Sequence, residues 1–450
     1  MRTGGVLLWA ALLGGSPTTD DLVARLGSPR YADREAASGE LLARGRSAIP
    51  ALRRGEDSSD LEIRTRAERL LERIEGDLLV EPTLVELDLR GVRVGEVAAR
   101  ISERTGLKVV LDPESSGSAG RAIDLTTDGP IPFWEAIARL GHAAELDSAT
   151  APAEVAGSSE DRVVLFERSR GPSAPTSIRG PFRTRVLGLT YQHELNYESR
   201  IPGAAAADPI RIGRDAPEAE PAFPAENRQF SIRFVLAAEP RMILAQNGGA
   251  SIVEARDDRG QSLLLGARPG ATIESAPLLE LNASNSLRFQ VDLSRPVEPG
   301  RKIARLRGRV PVSVWSRKSD PLEAALADGV GRRVAKGGTR LTVDGFQPLP
   351  ETTQYRIDLT LFEPNETRRG EPTEVGSNDV DESFRLEILD ARGRIIPWFL
   401  AGTTSVGNES RMSVVTLPMR DAGAPASIRR YQTNARSTEV EFEFNDLPMP

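Results

Sequence analysis

A chain of 450 residues, 39% hydrophobic and 27% charged, has the composition of folded protein and length for about three domains. A net charge of -7 excludes a protein built mainly to hold phosphate backbones, which needs a basic surface, so nucleic acid is not an expected partner. With no cysteine there is no disulfide framework, no thiolate metal site and no acylated cysteine to tether the chain to a membrane.

Residues 1–16 come first: Arg2 supplies a positive charge, Val6–Leu13 is an apolar run, and Gly14-Gly15-Ser16 offers small residues for cleavage. That pattern predicts a secretory signal peptide, too short to span a bilayer, and hence an exported protein. Residues 18–77 predict short helices separated by Gly, Ser and Pro turns, with Pro50 near one helix start and Ala67, Leu70, Leu71 and Ile74 sharing one helical face. This segment resembles a HEAT-type helical repeat. The resemblance implies stacking on a neighbouring domain and either a protein-docking surface or a helical cap.

Residues 80–170 read as a small βαββαβ domain. Val85-Glu86-Leu87-Asp88-Leu89-Arg90 alternates apolar and charged residues, as a strand with one buried face does. Val94, Val97, Ala98 and Ile101 then give a helix ending near Thr105, with Gly106 as its C-cap. Lys108–Asp112 and Arg121–Thr127 predict strands. Pro132 is placed in the first turn of a second helix whose inner face is Phe133, Ala136, Ile137 and Leu140, ending before Gly141, and Arg162–Glu167 predicts the last strand. Over residues 84–168, the stretches beginning "VELDLRGVRVGEVAARISERTGLKVVLDP" and "RAIDLTTDGPIPFWEAIARL" and the closing "RVVLFE" together resemble the secretin and TonB short N-terminal domain. What that resemblance implies is a non-catalytic docking module of the bacterial envelope. The chain departs from secretins and receptors in its aromatic content, 5%, which is low for the girdles of a membrane barrel.

Gly171-Pro172-Ser173-Ala174-Pro175 opens an expected linker, residues 171–181. Beyond it, short alternating runs between Gly, Pro, Asn and Asp clusters predict an all-β region of one or two β-sandwiches. The strands expected are Phe230–Leu236, Leu287–Leu293, Arg309–Val314, Thr339–Val343, Tyr355–Phe362, Ser383–Leu389 and Thr438–Phe444, with Ser199–Asn227 a long loop. An internal echo favours two sandwiches, at residues 182–300 and 301–450. In each copy one strand ends at Glu-Pro (Glu239, Glu363) and another at an Asp-x-Arg-Gly turn (Asp257/Asp258-Arg259-Gly260, Asp390-Ala391-Arg392-Gly393). The fold class expected is therefore multidomain α+β: helical repeat segment, βαββαβ domain, then all-β.

No residues predict a catalytic centre, and no cofactor is expected. His142 and His193 lie far apart and form no metal or triad motif. Ser405, between Gly402 and Gly407, lacks nucleophile-elbow spacing and reads as loop, while Lys336-Gly337-Gly338-Thr339 reads as a hairpin turn. Asp379, Asp381 and Glu382 are weak candidates for a Ca²⁺ site, without the spacing of a calcium loop. The basic run Arg301–Lys318 is read as the outer face of a strand, open to an anionic glycan or lipid head group or simply to water. These readings support a non-enzymatic exported adaptor that docks to envelope protein or glycan. Two alternatives stay open: a glycan or peptide hydrolase using carboxylates such as Glu323, Asp328, Asp379 and Asp381, and an accessory part of a secretion or receptor assembly.

Overall fold

A computed structural model of the chain describes residues 17–113, 116–151, 162–168, 173–196, 225–264, 285–336, 338–363, 382–417 and 423–450. The chain is mostly β, with several sheets and few helices, and divides into two compact units, residues 1–81 and 82–450. Among the described residues no helix is long and apolar enough to cross a membrane. The expected signal segment, residues 1–16, lies outside the described residues.

The first unit contains α1 (Thr19–Arg25), α2 (Tyr31–Arg44), a 3₁₀ turn (Gly45–Ala48), α3 (Ile49–Glu56) and α4 (Leu61–Leu79). Thr18 accepts from the Asp21 N–H while the Asp21 carboxylate accepts from the Thr18 N–H, a capping box that satisfies donors orphaned at the start of α1. Asp60 caps α4 by accepting from the N–H groups of Glu62 and Ile63. Ala67, Leu70, Leu71 and Ile74 are buried together, against Leu22, Leu26, Leu41 and Leu52. The unit therefore encloses a core of its own. Gly55 lets α3 approach α4: a Cβ there would meet the Ala67 Cβ at 3.0 Å.

The second unit begins with β1 (Leu84–Val85), β2 (Asp88–Arg93), α5 (Val94–Thr105), β3 (Lys108–Leu111), α6 (Ser116–Ala119), β4 (Ala122–Thr126), β5 (Ile131–Pro132), α7 (Phe133–Ala144), β6 (Leu146–Ala151) and β7 (Arg162–Glu167). β2 pairs antiparallel with β4, β3 parallel with β7, and β6 antiparallel with β7. Gly106 caps α5 in the left-handed region at φ 71°, where a side chain would strain the backbone. Three expectations are corrected here. The strand expected at Val85–Arg90 is split between β1 and β2. Pro132 is the N-cap of α7 rather than its first helical residue, and Gly141 does not stop that helix. Gly141 is instead a close-packing point, because a Cβ there would lie 2.9 Å from the Leu146 carbonyl oxygen at the start of β6.

That contact gives a test. Gly141→Val forces β6 away from α7 and is expected to cost about 1–3 kcal/mol by overpacking. Gly39→Ala, in α2 where nothing lies within 4 Å, is expected to add about 0.5–1 kcal/mol of helix stability. Thermal unfolding followed by circular dichroism reads both, and equal melting of Gly141→Val and the parent would refute the packing role.

The remainder comprises β8 (Thr176–Arg179), β9 (Phe182–Asn196), β10 (Ala225–Ala238), β11 (Met242–Gln246), β12 (Ser251–Asp257), β13 (Ser286–Leu293), β14 (Lys302–Arg317), β15 (Leu322–Ala325), β16 (Arg333–Lys336), β17 (Thr339–Pro348), β18 (Tyr355–Phe362), α8 (Glu382–Arg385), β19 (Leu386–Asp390), β20 (Ile395–Ile396), β21 (Trp398–Val406), β22 (Glu409–Thr416), β23 (Pro425–Arg430) and β24 (Thr433–Pro448). These form a sheet ordered β13-β10-β9-β8, a sheet β11-β14-β12 with β24 also on β14, a sheet β16-β17-β18-β22-β21 and a sheet β15-β23-β19-β20. The first two meet through the rings of Phe234 and Phe289 on one side and Phe442 and Phe444 on the other, with centroids 4.9–5.9 Å apart. The last two share a core that includes Leu341, Ile357, Leu359 and Val414 from one sheet and Leu322, Leu386, Ile388 and Ile428 from the other.

Strand pairing moves the expected boundary at 300/301. β14 pairs with β11 and β12 over residues 242–257 and with β24 over nearly its whole length, so the first β-body includes residues 302–317 and 433–448. The second β-body, β15 to β23, is inserted between β14 and β24. Residues 171–181 are likewise not a free linker, since Thr176–Arg179 is β8. Residues 225–227 of the expected loop belong to β10, and the rest of that loop lies outside the described residues.

The internal echo has matching geometry. Asp257 Oδ1 accepts from the N–H of Arg259 and Gln261, and Oδ2 from Gly300, two residues before β14. Asp390 Oδ1 accepts from the N–H of Arg392 and Arg394, and Oδ2 from Gly423, two residues before β23. Each aspartate ties the turn that follows its strand to the start of the strand with which that strand pairs, β14 for β12 and β23 for β19. Burial alone would raise the Asp390 carboxyl, but the N–H groups of Arg394, Gly423 and Arg392, with the Arg394 guanidinium, hold it well below the usual carboxylate range.

The α+β segment is fastened to the first β-body by buried polar contacts. Trp134 Nε1 donates to the Pro181 carbonyl at 3.0 Å, and Thr83 donates both its N–H and its hydroxyl to Glu239. The Arg183 guanidinium lies 4.0 Å from the Trp134 ring centroid and donates to the Ser148 hydroxyl. Burial, and then the neighbouring Arg185 charge, pull Arg183 down to about 9. Ile178 and Ala237 of the β-body belong to the same apolar core as α5 and α7.

Candidate binding site on the second β-body

The sheet β16-β17-β18-β22-β21 turns one face to its core and the other outward. On the outer face, the register aligns Gly345, Asp358, Ser413 and Gly402 in one row, and Thr342, Thr360, Arg411 and Thr404 in the next. β-Bulges interrupt β17 between Val343 and Gly345 and β21 between Leu400 and Gly402, at the same level of the sheet. A bulge bends its strand and increases the local twist. Two flanking bulges and two glycines leave a trough of about 600 Å³ whose lining includes Asp344, Asp358, Thr360, Thr404, Arg411 and Ser413. Thr360 donates to Asp344 at 2.6 Å, Arg356 donates to Asp358 at 3.1 Å, and Arg411 is held by Glu409 at 3.2 Å. The lining offers hydroxyl donors and acceptors with both signs of charge, suited to a polar, extended partner.

The basic run has a different fate. Arg305, Arg307 and Arg309 share the exposed face of β14, alternating with buried Leu306, Gly308 and Val310. Each faces a carboxylate on a neighbouring strand: Arg305 and Arg307 lie within 4.0 Å of both Glu254 on β12 and Glu443 on β24, and Arg309 lies 2.9 Å from Glu439. An anionic glycan or lipid would have to displace these acids, so the run is a charge ladder within the sheet. A cavity of about 350 Å³ beside it is lined by Arg179, Arg307, Arg309, Glu441 and Glu443, over Gly308 and Phe442.

The other sequence candidates are dispersed. Asp379 and Asp381 lie outside the described residues. Glu382 opens α8 with its carboxylate 3.5 Å from the Arg430 guanidinium. Among the described residues no cluster of three or more His, Asp or Glu is placed to hold a metal ion. Glu323 on β15 pairs with Arg429 on β23, and Asp328 sits in an exposed turn. Neither lines the trough. His142 and His193 are exposed on α7 and β9. Ser405 is in strand β21 rather than a loop, its hydroxyl 2.9 Å from that of Ser410. Lys336 and Thr339 close the β16–β17 hairpin.

Sequence reading missed a buried charge cluster where the second β-body leaves and rejoins the first. Arg317 pairs with Glu387, which also accepts from the Tyr431 hydroxyl at 2.9 Å, and Arg430 pairs with Glu363 at 2.8 Å. Burial first, then the Glu387 charge, push the Tyr431 hydroxyl above its ordinary value. No local motif marks this cluster, because its members come from β14, β19, β23 and the end of β18. The sequence matches no protein-family model and no curated protein.

Proposed function

We propose that the protein is a non-enzymatic, exported adaptor of the bacterial envelope that holds a protein or glycan partner along the trough of its second β-body. The observation that carries this reading is the trough itself, open and lined by threonine and serine hydroxyls with Asp358 and Arg411 in adjacent rows. Such a lining suits hydrogen bonding to sugar hydroxyls or to an extended peptide backbone. The resemblance of residues 84–168 to the secretin and TonB short N-terminal domain, and of residues 18–77 to HEAT repeats, supports further docking surfaces on the same chain. The sequence pattern of residues 1–16 supports export.

Affinity capture from envelope extract tests it. Arg411→Ala with Asp358→Ala is expected to weaken retention of the partner about tenfold or more, the equivalent of losing roughly 1.4 kcal/mol of contact. Equal capture by both proteins would remove the trough from the account. The hydrolase reading has one observation in its favour, two carboxylates, Asp344 and Asp358, on the same trough. Release of product that disappears in both Asp344→Asn and Asp358→Asn would favour it.

A further inference from the structure

The edges of the sheets differ in how they are protected. β8, β15, β16 and β20 are short, and β16 carries Arg333 and Lys336. β13 carries Arg288 and Asp292 among its eight residues. Such shortening and charge keep an edge from pairing with another chain. β21 has neither. It runs nine residues, Trp-Phe-Leu-Ala-Gly-Thr-Thr-Ser-Val, without a charge or a proline, and pairs only with β22. Every residue after Trp398 is exposed, including Phe399 at 44%, Leu400 at 42% and Val406 at 76%. Among the described residues no strand pairs along its other side.

Its register with β22 assigns the faces. Leu400 and Thr403 stand opposite Val414 and Met412, which are core residues, so they take the inner side. Gly402, Thr404 and Val406 stand opposite Ser413, Arg411 and Glu409 on the outer side, and Phe399 opposite Val415 joins them. The β-bulge accounts for Ala401.

We propose that β21 pairs antiparallel with β21 of a second copy, about a two-fold axis at Thr403. In that register Phe399 meets Val406 of the partner, Gly402 meets Thr404, Leu400 meets Ser405 and Thr403 meets itself. Residues directly opposite in an antiparallel pair share a face, and every pair satisfies that condition once each bulge takes up one residue. The strand is thus self-complementary: an aromatic meets a β-branched residue at both ends, and no charge is buried. Antiparallel edge pairing is isologous and closes at two copies, whereas a parallel pairing of the same two edges would set the outer face of one copy beside the core face of the other. It also brings the two troughs side by side across the axis, independently of what they bind.

Sedimentation of the full chain over a concentration series tests the proposal. The parent is expected at twice 48.7 kDa. Val406→Lys and Phe399→Glu, both at exposed positions that leave the fold intact by circular dichroism, are each expected to shift the chain to monomer. The double variant Phe399→Glu with Val406→Lys restores the dimer, because each glutamate then faces a lysine. A parent that stays monomeric, a dimer indifferent to both single changes, or a double variant that remains monomeric overturns it.

Discussion

Replacement of Trp134 by alanine is expected to cost about 3–5 kcal/mol, the range for deleting a fully buried aromatic ring. The ring is wholly buried in the core of the α+β segment, its Nε1–H reaches the Pro181 carbonyl, and the Arg183 guanidinium lies on its face. Truncation leaves a cavity and strands a buried guanidinium and a carbonyl together. Trp134→Phe keeps a ring beneath Arg183 and is expected to cost less, mainly the hydrogen bond and part of the volume. Denaturant unfolding followed by Trp315 and Trp398 fluorescence measures both. A loss below about 1 kcal/mol in the alanine variant would mean that the segment is not anchored through this residue.

The second large effect is expected at Arg430, which is 2% exposed and pairs with Glu363. Breaking a buried pair costs about 3–5 kcal/mol, and here it leaves Glu363 with the more distant Arg385, 3.8 Å away. Arg430→Met should therefore destabilise the second β-body strongly, by loosening β23 where the chain returns to β24. Adding Glu363→Gln removes the carboxylate that has lost its nearer partner. The double variant is expected to recover part of the loss, because two neutral groups of similar size avoid the desolvation of such an ion. Strict additivity of the two changes in thermal unfolding would show that the residues do not act as a pair.

How much of this was legible in the sequence depends on how far apart the interacting residues lie. Tyr355–Phe362 alternates, and the strand has those bounds; Val94, Val97, Ala98 and Ile101 repeat at helical spacing, and all four are buried. Local pattern reports which face of an element is apolar, and that survives folding. It does not report the partner strand. β14 and β24 are separated by the whole second β-body, so nothing near residue 300 indicated that the first β-body continues beyond it. β21 was unreadable for a different reason. Ala-Gly-Thr-Thr-Ser looks like turn chemistry, and the strand is held by pairing with β22 instead of by burial of its own side chains.

The candidate site follows the same division. The Asp-x-Arg-Gly turns were visible as turns, because aspartate and glycine at that spacing carry their own hydrogen-bonding pattern. The trough was invisible, since its lining comes from four strands and its shape from two bulges at one level of the sheet. Asp358 and Arg411 become neighbours only through the pairing of β18 with β22.

The claim that the protein binds without reacting is tested most directly by the mass of what it holds. The full chain, immobilised and loaded from envelope extract, is incubated beside the Arg411→Ala, Asp358→Ala variant, and the retained partner is measured by mass spectrometry over time. The partner is expected to stay at its original mass on the parent and to be lost from the variant. Cleavage of that partner by the parent, or equal retention on both, would contradict that claim.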